Sequence, residues 1–429
     1  MRLKFQSPTG MHDVLEDDYR YYEKINDVVK NIADFYSFKR IETPILEQRE
    51  VFSKGIGLST DIVKKEIFTL RTKGGNYLAL RPEGTTPIVR AYIEHGMKNL
   101  PKPVKLWYSG PYFRHEKPQA GRFRQFWQFG LEVLGEESPA IDAEVVQIAY
   151  SIFKDLKIKN IGIEVNSIGA SCCRPYYKKL LISYFRLRAG NLCFNCKKKV
   201  KENPLRILDC KQEKCQKISL EAPQTIDHLC SDCRKHFKEF LEFLDELELP
   251  YNLNPHLVRG LDYYTRTVFE FFVQEKKKDS SELTTIALAG GGRYDGLVKL
   301  LGGKPTPAVG IAGGIDRIIL LMKERTLKPA QKPKPKIFLA QLGNLAKRKI
   351  LKLAEEFRKA KIPFYSSLGR DSLSVQLNIA DKIGVQYTLI FGQKEALANS
   401  IIIREMKTGK QQEVNLVKIV NEIKKKIKR

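Results

Sequence analysis

A proline- and lysine-rich segment near residue 330 constrains most strongly how this chain can fold. The sequence TLKPAQKPKPK (326–336) alternates prolines, which interrupt helices and sheet interiors, with lysines, which repel one another. Regular apolar patterns lie on both sides of it. We therefore predict a linker at 326–334 that separates an N-terminal domain, residues 1–325, from a C-terminal domain, residues 335–429.

The region after the linker alternates between strand and helix patterns. Apolar strand patterns at IFLAQL, IPFYSS and YTLIFG are separated by helical patterns, and a further strand, IIIREM, and a basic helix follow them. This alternation predicts an α/β domain with parallel strands. Basic residues also concentrate here, since residues 331–429 contain 22 basic and 8 acidic residues.

The N-terminal region has a different pattern. A helical pattern over 19–38 leads into the extended run RIETPILE, which predicts a helix followed by a strand. The β-rich runs VKLWYSGPYFR (104–114) and FRQFWQFGLEVLG (123–135) predict adjacent antiparallel strands. Between about 170 and 248 the composition shifts to cysteine and lysine. We interpret that block as a small helical subdomain inserted into the N-terminal domain.

The charge of the chain indicates its class of partner. The formal net charge is +26, which exceeds what solubility requires and attracts polyanions. Nucleic acid is therefore the predicted partner, and the alternative is a lysine-rich surface without a specific role. No stretch approaches about 20 uncharged apolar residues, and the first ten residues lack the apolar core of a secretory signal. We expect a cytoplasmic protein that does not contact membranes.

The cysteines form two CxxC pairs, one at Cys193 and Cys196 and the other at Cys230 and Cys233. In a reducing compartment this spacing predicts one structural Zn²⁺ site with these four thiolates as ligands. The alternative is a set of reduced thiols without metal. Cys210 and Cys215 lie between the pairs and leave the ligand set open, whereas the adjacent pair at 172–173 is expected to have no ligand role.

Common nucleotide and metal motifs are absent from the sequence. There is no GxxxxGK[ST], and AGGGRYDGL (289–297) does not match the dinucleotide pattern GxGxxG. No HExxH occurs, and the six histidines are scattered. A phosphate loop, a dinucleotide fold and a zinc-protease site are therefore excluded as the basis of function.

Five segments together resemble the histidyl-tRNA synthetases, a family of class II aminoacyl-tRNA synthetases. The segment YFRHEKPQAGRFRQFWQFGLEVLG (112–135) resembles motif 2, GIAGGIDRI (310–318) motif 3, and FKRIETPILE (38–47) the dimer-interface motif 1. LVRGLDYYTRTVFE (257–270) and AGGGRYDGL resemble the two histidine-specific motifs of the family. The likeness extends over essentially the whole chain, including the C-terminal region.

The resemblance implies a fold and an activity. The fold is an α+β catalytic domain built on a mostly antiparallel sheet, with the cysteine-containing insertion and a C-terminal α/β anticodon-binding domain. The implied activity is that of a histidine–tRNA ligase, which uses ATP and Mg²⁺ to convert L-histidine into histidyl-adenylate and transfers it to the 3′ end of tRNA(His). A homodimer is implied as well. The alternative is a non-catalytic, histidine-sensing regulatory subunit of ATP phosphoribosyltransferase.

The resemblance also implies roles for individual residues. The catalytic residues are Arg114 and Arg259, and Arg114, Glu116 and Arg317 bind ATP. Planar, permanently charged guanidinium groups suit this task because charge builds up on phosphate oxygens during the reaction. The residues implied to bind histidine are Glu83, Thr85, Gln128, Glu132, Arg259, Tyr263 and Tyr264. Gln119 and Arg122, in the loop of motif 2, are expected to contact the acceptor end of tRNA.

Two positions depart from the pattern of the family. Asp316 stands where glutamate is more frequent, and Trp127 stands where histidine is frequent. Asp316 keeps the charge on a shorter side chain, and Trp127 changes the shape of a pocket without removing an implied reactive group. We expect these departures to change local geometry and to leave the activity intact.

Overall fold

The computed structural model describes residues 5–276, 283–330 and 334–428. Contacts between residues divide the chain into two compact units, Met1–Pro329 and Ala330–Arg429. The boundary falls within the predicted linker, of which residues 331–333 lie outside the described residues. In the described ranges, no helix has both the length and the apolar character that crossing a bilayer requires.

The first unit begins with helices and short strands and then forms a large sheet. Its elements, in chain order, are α1 (Glu16–Phe35), β1 (Lys39–Arg40), β2 (Leu46–Gln48), α2 (Arg49–Ile56), β3 (Thr69–Arg71), β4 (Tyr77–Leu80), α3 (Thr85–Glu94), β5 (Val104–Phe113), β6 (Gln125–Leu134), α4 (Pro139–Asp155), β7 (Ile161–Ser167), α5 (Arg174–Leu187), α6 (Phe194–Glu202), α7 (Leu205–Leu208), α8 (Glu213–Leu220), α9 (Ser231–Glu246), β8 (Tyr251–Leu253), β9 (Thr265–Lys276), β10 (Leu283–Arg293), α10 (Leu297–Leu300), β11 (Ala308–Gly314) and α11 (Ile315–Glu324).

The large sheet has the strand order β1-β5-β6-β11-β10-β9-β7-β8. Neighbouring strands are antiparallel, except that β1 pairs parallel to β5 and β8 pairs parallel to β7. The predicted antiparallel neighbours at 104–114 and 123–135 are confirmed, since β5 and β6 pair from Val104 with Leu134 to Phe113 with Gln125. The mostly antiparallel sheet expected from the sequence is also confirmed.

The extended run RIETPILE differs from its prediction as a single strand. Its first part is β1, at the edge of the large sheet, and its last part is β2, in a separate sheet with the order β2-β4-β3. Thr43 and Pro44 lie between the two strands. Proline cannot donate a backbone hydrogen bond to a neighbouring strand, so the run divides where Pro44 stands.

The helices α5 to α9 form a block between β7 and β8, and these two strands pair with each other. The last of these helices is amphipathic, and its buried side chains Phe237, Phe240 and Leu244 join the core that also contains α4 and the inner face of the sheet. A second core contains apolar side chains of α5 to α8 together with those of α3 and β5. The block is therefore packed against the sheet domain on two sides.

The second unit contains a five-stranded sheet with helices. Its elements are β12 (Ile337–Gln341), α12 (Asn344–Lys359), β13 (Phe364–Ser366), α13 (Leu373–Ile383), β14 (Tyr387–Phe391), α14 (Gln393–Ala398), β15 (Ser400–Glu405), β16 (Gln411–Asn415) and α15 (Ile419–Lys428).

The sheet of the second unit is mixed, with the order β13-β12-β14-β15-β16. The first three strands are parallel, as predicted, whereas β14, β15 and β16 pair antiparallel. The prediction of parallel strands thus holds for β13, β12 and β14 and is wrong for β15, and the connections explain why. A parallel return needs a crossover of about a dozen residues or more, and the short segments after β14 and β15 allow only antiparallel pairing.

Candidate active site

A cavity of about 220 Å³ lies in the first unit, beside β5, β6, β10 and β11 and the start of α11. Most of the residues predicted to act on ATP, histidine or the acceptor end of tRNA line it. These are Glu83, Thr85, Arg114, Glu116, Arg122, Gln128, Arg259, Tyr263, Tyr264 and Arg317. Of the other two predicted residues, Glu132 lies behind Thr85, and Gln119 lies in the neighbouring loop, outside the lining. Segments far apart in the sequence thus meet at one site.

Arg114 directly follows β5 and begins the loop that leads to β6. Its Nε donates a hydrogen bond to the carbonyl oxygen of Pro82 (2.8 Å), and its guanidinium lies over the ring of Phe126, 5.2 Å from the ring centre. Glu116, in the same loop, lies 3.8 Å from Arg114 and 3.7 Å from Arg122. The hydrogen bond and the ring contact hold Arg114 toward the cavity, while its remaining N–H groups can bind an anion.

The loop between β5 and β6 is closed by a pair of backbone hydrogen bonds. Gln119 N donates to Arg122 O (3.1 Å), and Arg122 N donates to Gln119 O (2.8 Å). Both side chains are exposed. Gly121, between them, has φ +68°, and a Cβ there would lie 3.3 Å from Cγ of Arg317. The loop therefore carries the exposed Gln119 and Arg122, of which Arg122 also lines the cavity, and it packs closely onto α11.

Arg317 lies in the first turn of α11 and reaches the opposite wall of the cavity. Its Nη1 donates a hydrogen bond to the carbonyl oxygen of Ala287 (2.9 Å). Burial, together with the nearby positive charge of Arg122, lowers the pKa of Arg317 below its ordinary value. A bound phosphate would supply negative charge beside Arg317 and would offset the effect of Arg122.

Arg259 precedes β9 and lies along the floor of the cavity. Its Nη1 forms an ion pair with Glu270, and its guanidinium carbon lies 6.0 Å from the ring centre of Tyr264. The guanidinium lies directly over Gly290, where a Cβ would come closer than 3.0 Å to three of its atoms. Glycine at this position of β10 thus leaves the space that Arg259 occupies.

Glu83 has a structural role that the sequence did not indicate. Its carboxylate accepts hydrogen bonds from the backbone N–H groups of Thr85 (2.7 Å) and Thr86 (2.9 Å), at the start of α3. Burial raises the pKa of Glu83, although the hydrogen bonds from Thr86 and Thr85 act in the opposite direction. Tyr263 Oη also lies 3.5 Å from Glu83. The carboxylate therefore caps the N-terminus of α3 and also faces the cavity.

Glu132 is the most deeply placed of the predicted histidine ligands. Its carboxylate accepts hydrogen bonds from Thr85 Oγ1 (2.8 Å) and Tyr294 Oη (2.6 Å), and Tyr108 Oη lies 3.4 Å away. Burial raises the pKa of Glu132 to about 8, against the effect of these hydrogen bonds. This carboxyl group can therefore exchange a proton near neutral pH.

Gln128 and Asp316 occupy adjacent parts of the wall but have different surroundings. The side-chain oxygen of Gln128 is buried, and it has no hydrogen-bond partner among the described residues. Asp316, in contrast, accepts a hydrogen bond from the backbone N–H of Trp127 (2.6 Å) and another from the hydroxyl of Tyr22. Gln128 thus offers a free acceptor to a ligand, whereas Asp316 positions the strand that carries Gln128 and Trp127.

Sequence reasoning missed three residues that shape this site. Glu270 pairs with Arg259, Phe126 lies under Arg114, and Tyr108 approaches Glu132. Glu270 had a visible signal, because it is the one charged residue in the apolar run TVFEFFV. Phe126 and Tyr108 had none, because aromatic residues in strands are ordinary core residues in most sequences.

The cysteines lie in two separate clusters, outside the cavity. The first thiol cluster contains Cys172, Cys173, Cys230 and Cys233, and the second thiol cluster contains Cys193, Cys196, Cys210 and Cys215. The expected single site, with Cys193, Cys196, Cys230 and Cys233 as its ligands, is therefore wrong. One CxxC pair instead meets Cys210 and Cys215 and the other meets Cys172 and Cys173, because the helices of the block bring those cysteines together.

Comparison with known proteins identifies the family. A sequence profile described as "Histidyl-tRNA synthetase" matches residues 10–170 and 199–318, and a profile described as "Anticodon binding domain" matches residues 336–426. The chain belongs to the histidyl-tRNA synthetase family. The resemblance seen in the sequence motifs is thereby confirmed, as is the predicted fold class.

Relatives of this family match the chain from end to end. Proteins named histidine–tRNA ligase from Dehalococcoides mccartyi and Acetivibrio thermocellus are 43% and 39% identical to it, over 99% and 98% of this chain and 100% and 99% of their own. The apo crystal structure of S. aureus histidyl-tRNA synthetase has a TM-score of 0.78 at 31% identity, over 97% of this chain and 99% of that one. The roles of individual site residues stay predictions.

Proposed function

We propose that the protein is a histidine–tRNA ligase whose active site is the cavity described above. The observation that carries the proposal is the meeting of Arg114, Arg259 and Arg317 in one cavity with Glu83, Gln128 and the two adjacent tyrosines. The arginines suit a triphosphate, and the carboxylate and amide suit an ammonium group. Full-length relatives named histidine–tRNA ligase, together with the anticodon-binding profile, favour this activity over the regulatory-subunit alternative.

In the first step, the carboxylate of histidine attacks the α-phosphorus of ATP. A P–O bond to the amino acid forms, the bond to the leaving oxygen breaks, and pyrophosphate departs. No general base is needed, because the attacking carboxylate is already ionised. We assign Arg259 and Arg114 to the α-phosphate oxygens, with Arg259 also holding the histidine carboxylate, and Arg317 to the γ-phosphate.

Mg²⁺ would accompany ATP and neutralise part of the phosphate charge. The cavity offers it the carboxylate oxygens of Glu116 and Glu270, of a type that Mg²⁺ prefers. Both carboxylates pair with arginines in the structure. We propose that Glu116 and Glu270 would hold the metal ion or its bound water when phosphates engage those arginines.

Histidine is recognised at both of its polar ends. We propose that Glu83, Thr85 and Gln128 hold the α-ammonium group, and the buried, unpartnered oxygen of Gln128 supports this assignment. Glu132, Tyr263 and Tyr264 are assigned to the imidazole ring. A buried carboxyl group opposite the ring rejects side chains that cannot form hydrogen bonds, because its own desolvation would then be uncompensated.

In the second step, a terminal ribose hydroxyl of tRNA(His) attacks the acyl carbon of the adenylate. An ester bond forms, the bond between the acyl carbon and the phosphate oxygen breaks, and AMP leaves with that electron pair while the proton of the hydroxyl passes to the departing phosphate or to solvent. We propose that the exposed Gln119 and Arg122 contact the acceptor end of the tRNA, since they lie on the loop beside the cavity. Residues 335–429 are proposed as the anticodon-binding domain, which the high density of basic residues supports.

We propose further that residues 1–325 form the catalytic domain, with an insertion at about 170–248 and a linker at 326–334. We expect the enzyme to act in the cytoplasm.

We also propose that the enzyme is a homodimer. Exposed apolar side chains near β2 and its sheet support the dimer. These are Ile45, Leu46, Leu70 and Tyr77. Light scattering of wild-type protein and of Leu46→Glu would test it, with half the wild-type mass expected for the variant.

The activity is tested by histidine-dependent exchange of pyrophosphate into ATP, measured for each of the amino acids. Exchange with histidine alone is expected, and Arg259→Ala should abolish it while the protein remains folded. Aminoacylation of tRNA(His) transcripts then tests the second step. Folded, magnesium-supplied protein without exchange would refute the proposed activity and would favour the regulatory alternative.

A further inference from the structure

The two thiol clusters have the dimensions of metal sites. Within each cluster, the four sulfur atoms all lie within 4.8 Å of one another. Cys172 Sγ lies 3.5, 3.2 and 3.8 Å from those of Cys173, Cys230 and Cys233, and Cys193 Sγ lies 4.0 Å from that of Cys210. Four thiolates around a tetrahedral Zn²⁺, with bonds of about 2.3 Å, lie about 3.8 Å apart.

Backbone groups support the thiols in the same way in both clusters. In the second thiol cluster, Cys193 N donates to Cys215 Sγ (3.2 Å) and Cys196 N donates to Cys193 Sγ (3.4 Å). In the first, Cys230 N donates to Cys173 Sγ (3.1 Å). Hydrogen bonds from N–H groups to sulfur fix the direction of each thiolate and spread its negative charge, which favours metal binding.

The chemistry of the donor set selects the ion. Sulfur-only sites of four cysteines bind Zn²⁺ tightly in tetrahedral geometry, whereas Mg²⁺ and Ca²⁺ require oxygen ligands. Four ligands leave no open position, so such a site is structural and not catalytic. Four thiolates around Zn²⁺ carry a net charge of −2, and lysines adjoin the second cluster in the sequence at Lys197, Lys211 and Lys214.

We propose that the protein binds two structural Zn²⁺ ions, one in each thiol cluster. Cys172, Cys173, Cys230 and Cys233 hold the first ion, and Cys193, Cys196, Cys210 and Cys215 hold the second. The thiols lose their protons to solvent when the metal binds, so binding strengthens as pH rises. This assignment replaces the single site that the two CxxC pairs had predicted.

The two ions have different mechanical consequences. The first thiol cluster joins the segment before α5 to the start of α9, which are the two ends of the inserted block. The second joins the start of α6 to α8 and to the segment between α7 and α8, all inside the block. The first ion therefore closes a loop of roughly 57 residues between Cys173 and Cys230, and the second a loop of roughly 14 between Cys196 and Cys210, and both reduce the entropy of the unfolded chain.

The cysteines of the second cluster also lie close in sequence to two residues that contact the histidine-specific motif at 257–270. Between the CxxC of that cluster and Cys210, Asn203 Nδ2 donates to Asp262 (2.9 Å) and Arg206 donates to the carbonyl oxygen of Gly260 (2.5 Å). Gly260 and Asp262 flank Leu261, just after Arg259. Metal at the second cluster thus fixes helices that brace this part of the cavity.

The proposal is tested on full-length protein by counting metal and thiols together. Protein produced in a reducing host and freed of loosely bound metal should contain two zinc ions per chain by inductively coupled plasma mass spectrometry. Cys172→Ser and Cys210→Ser, which alter the less buried cysteines of the two clusters, should each contain one zinc ion. Control variants Asn195→Ser and Ser231→Ala, placed inside the two CxxC pairs, should contain two.

Co²⁺ replacement supplies a second measurement that does not depend on the variants. Two equivalents of Co²⁺ should give intense thiolate-to-metal bands together with the visible bands of tetrahedral cobalt, and the absorbance should rise until the second equivalent. Wild-type protein with one zinc ion per chain or none, or saturation of these bands at one equivalent, would overturn the proposal. Fewer than eight reactive thiols in denatured, metal-free protein without reductant would indicate disulfides and would also overturn it.

Discussion

Replacing Gly290 with alanine should disable the proposed active site without removing any of its polar groups. Gly290 lies on β10 directly opposite Glu270 of β9, and the guanidinium of Arg259 lies over it. A Cβ at this position would come closer than 3.0 Å to Nη1, Nη2 and Cζ of Arg259. The neighbour is the end of a flexible side chain, so the guanidinium will move and the fold will persist.

The size of this displacement sets the expected loss of activity. Ordinary van der Waals contact begins near 3.4 Å, so the guanidinium must retreat by roughly 1 Å and must rearrange its ion pair with Glu270. A misplacement of about 1 Å in a group that positions reactants lowers a rate about 100-fold. That factor corresponds to about 2.7 kcal/mol of transition-state stabilisation. Thermal stability should change little in comparison.

Two other glycines of the same motif provide matched controls for pyrophosphate exchange with histidine. A Cβ at Gly296 meets nothing within 4 Å, so Gly296→Ala should keep wild-type activity. A Cβ at Gly291 would collide with the backbone oxygen of Gly310 on the next strand, so Gly291→Ala should lose stability instead of activity alone. The three substitutions thus distinguish two effects: the loss of space for the Arg259 side chain and the loss of space between β10 and β11.

A double variant decides whether the effect passes through Arg259. If Gly290→Ala acts by displacing the guanidinium, adding it to Arg259→Ala should cause almost no further loss. Additive losses in the double variant, or equal activities of Gly290→Ala and Gly296→Ala in folded proteins, would refute the reasoning.

Three further predictions follow from burial and charge. Arg293 is fully buried against Asp142, so Arg293→Met should cost about 3–5 kcal/mol in urea unfolding, because it leaves a buried carboxylate unpaired. Burial raises the pKa of Glu132 to about 8 from an ordinary 4.5, so the folded state binds this proton more tightly. The free energy of unfolding should therefore fall as pH rises across that interval, and Glu132→Gln should reduce the slope. Replacing Lys424 and Lys425 with glutamine should weaken tRNA(His) binding and reduce its salt slope by about 1 per charge, with unchanged pyrophosphate exchange; equal loss of both activities would contradict it.

The sequence predicted those parts of the structure that local patterns determine. Helix α13 (Leu373–Ile383) forms where the sequence shows a helical pattern between IPFYSS and YTLIFG, and the hairpin of β5 and β6 was visible as two β-rich runs. The mixed sheet of the C-terminal unit was missed, because the direction of a strand depends on the length of its connection and not on its own residues.

The family motifs predicted most residues of the site. The contacts between residues that only the fold brings together were missed. The motifs predicted a shared site for Arg114, Arg259 and Arg317, whereas the motif that contains both Arg259 and Glu270 did not show that these two residues pair. That pair follows from strand register, since Gly290 of β10 pairs with Glu270 and leaves room for Arg259. The predicted ligand set of the zinc site was wrong for a similar reason. Spacing in the sequence reveals a CxxC pair, but only the packing of the helices shows which other cysteines lie beside it.

The cavity is shaped as much by missing side chains as by polar ones. Gly310 of β11 lies opposite Glu132 of β6, and a Cβ there would overlap the Glu132 carboxylate. Gly84 and Gly130 make room in the same way for the ring of Tyr108, whose hydroxyl approaches that carboxylate. The Glu132 carboxylate and the Tyr108 hydroxyl therefore occupy space that a side chain at these glycines would fill. Because a methyl group at any of these positions would displace Glu132 or Tyr108, the proposed recognition of histidine requires these glycines as well as the carboxylate.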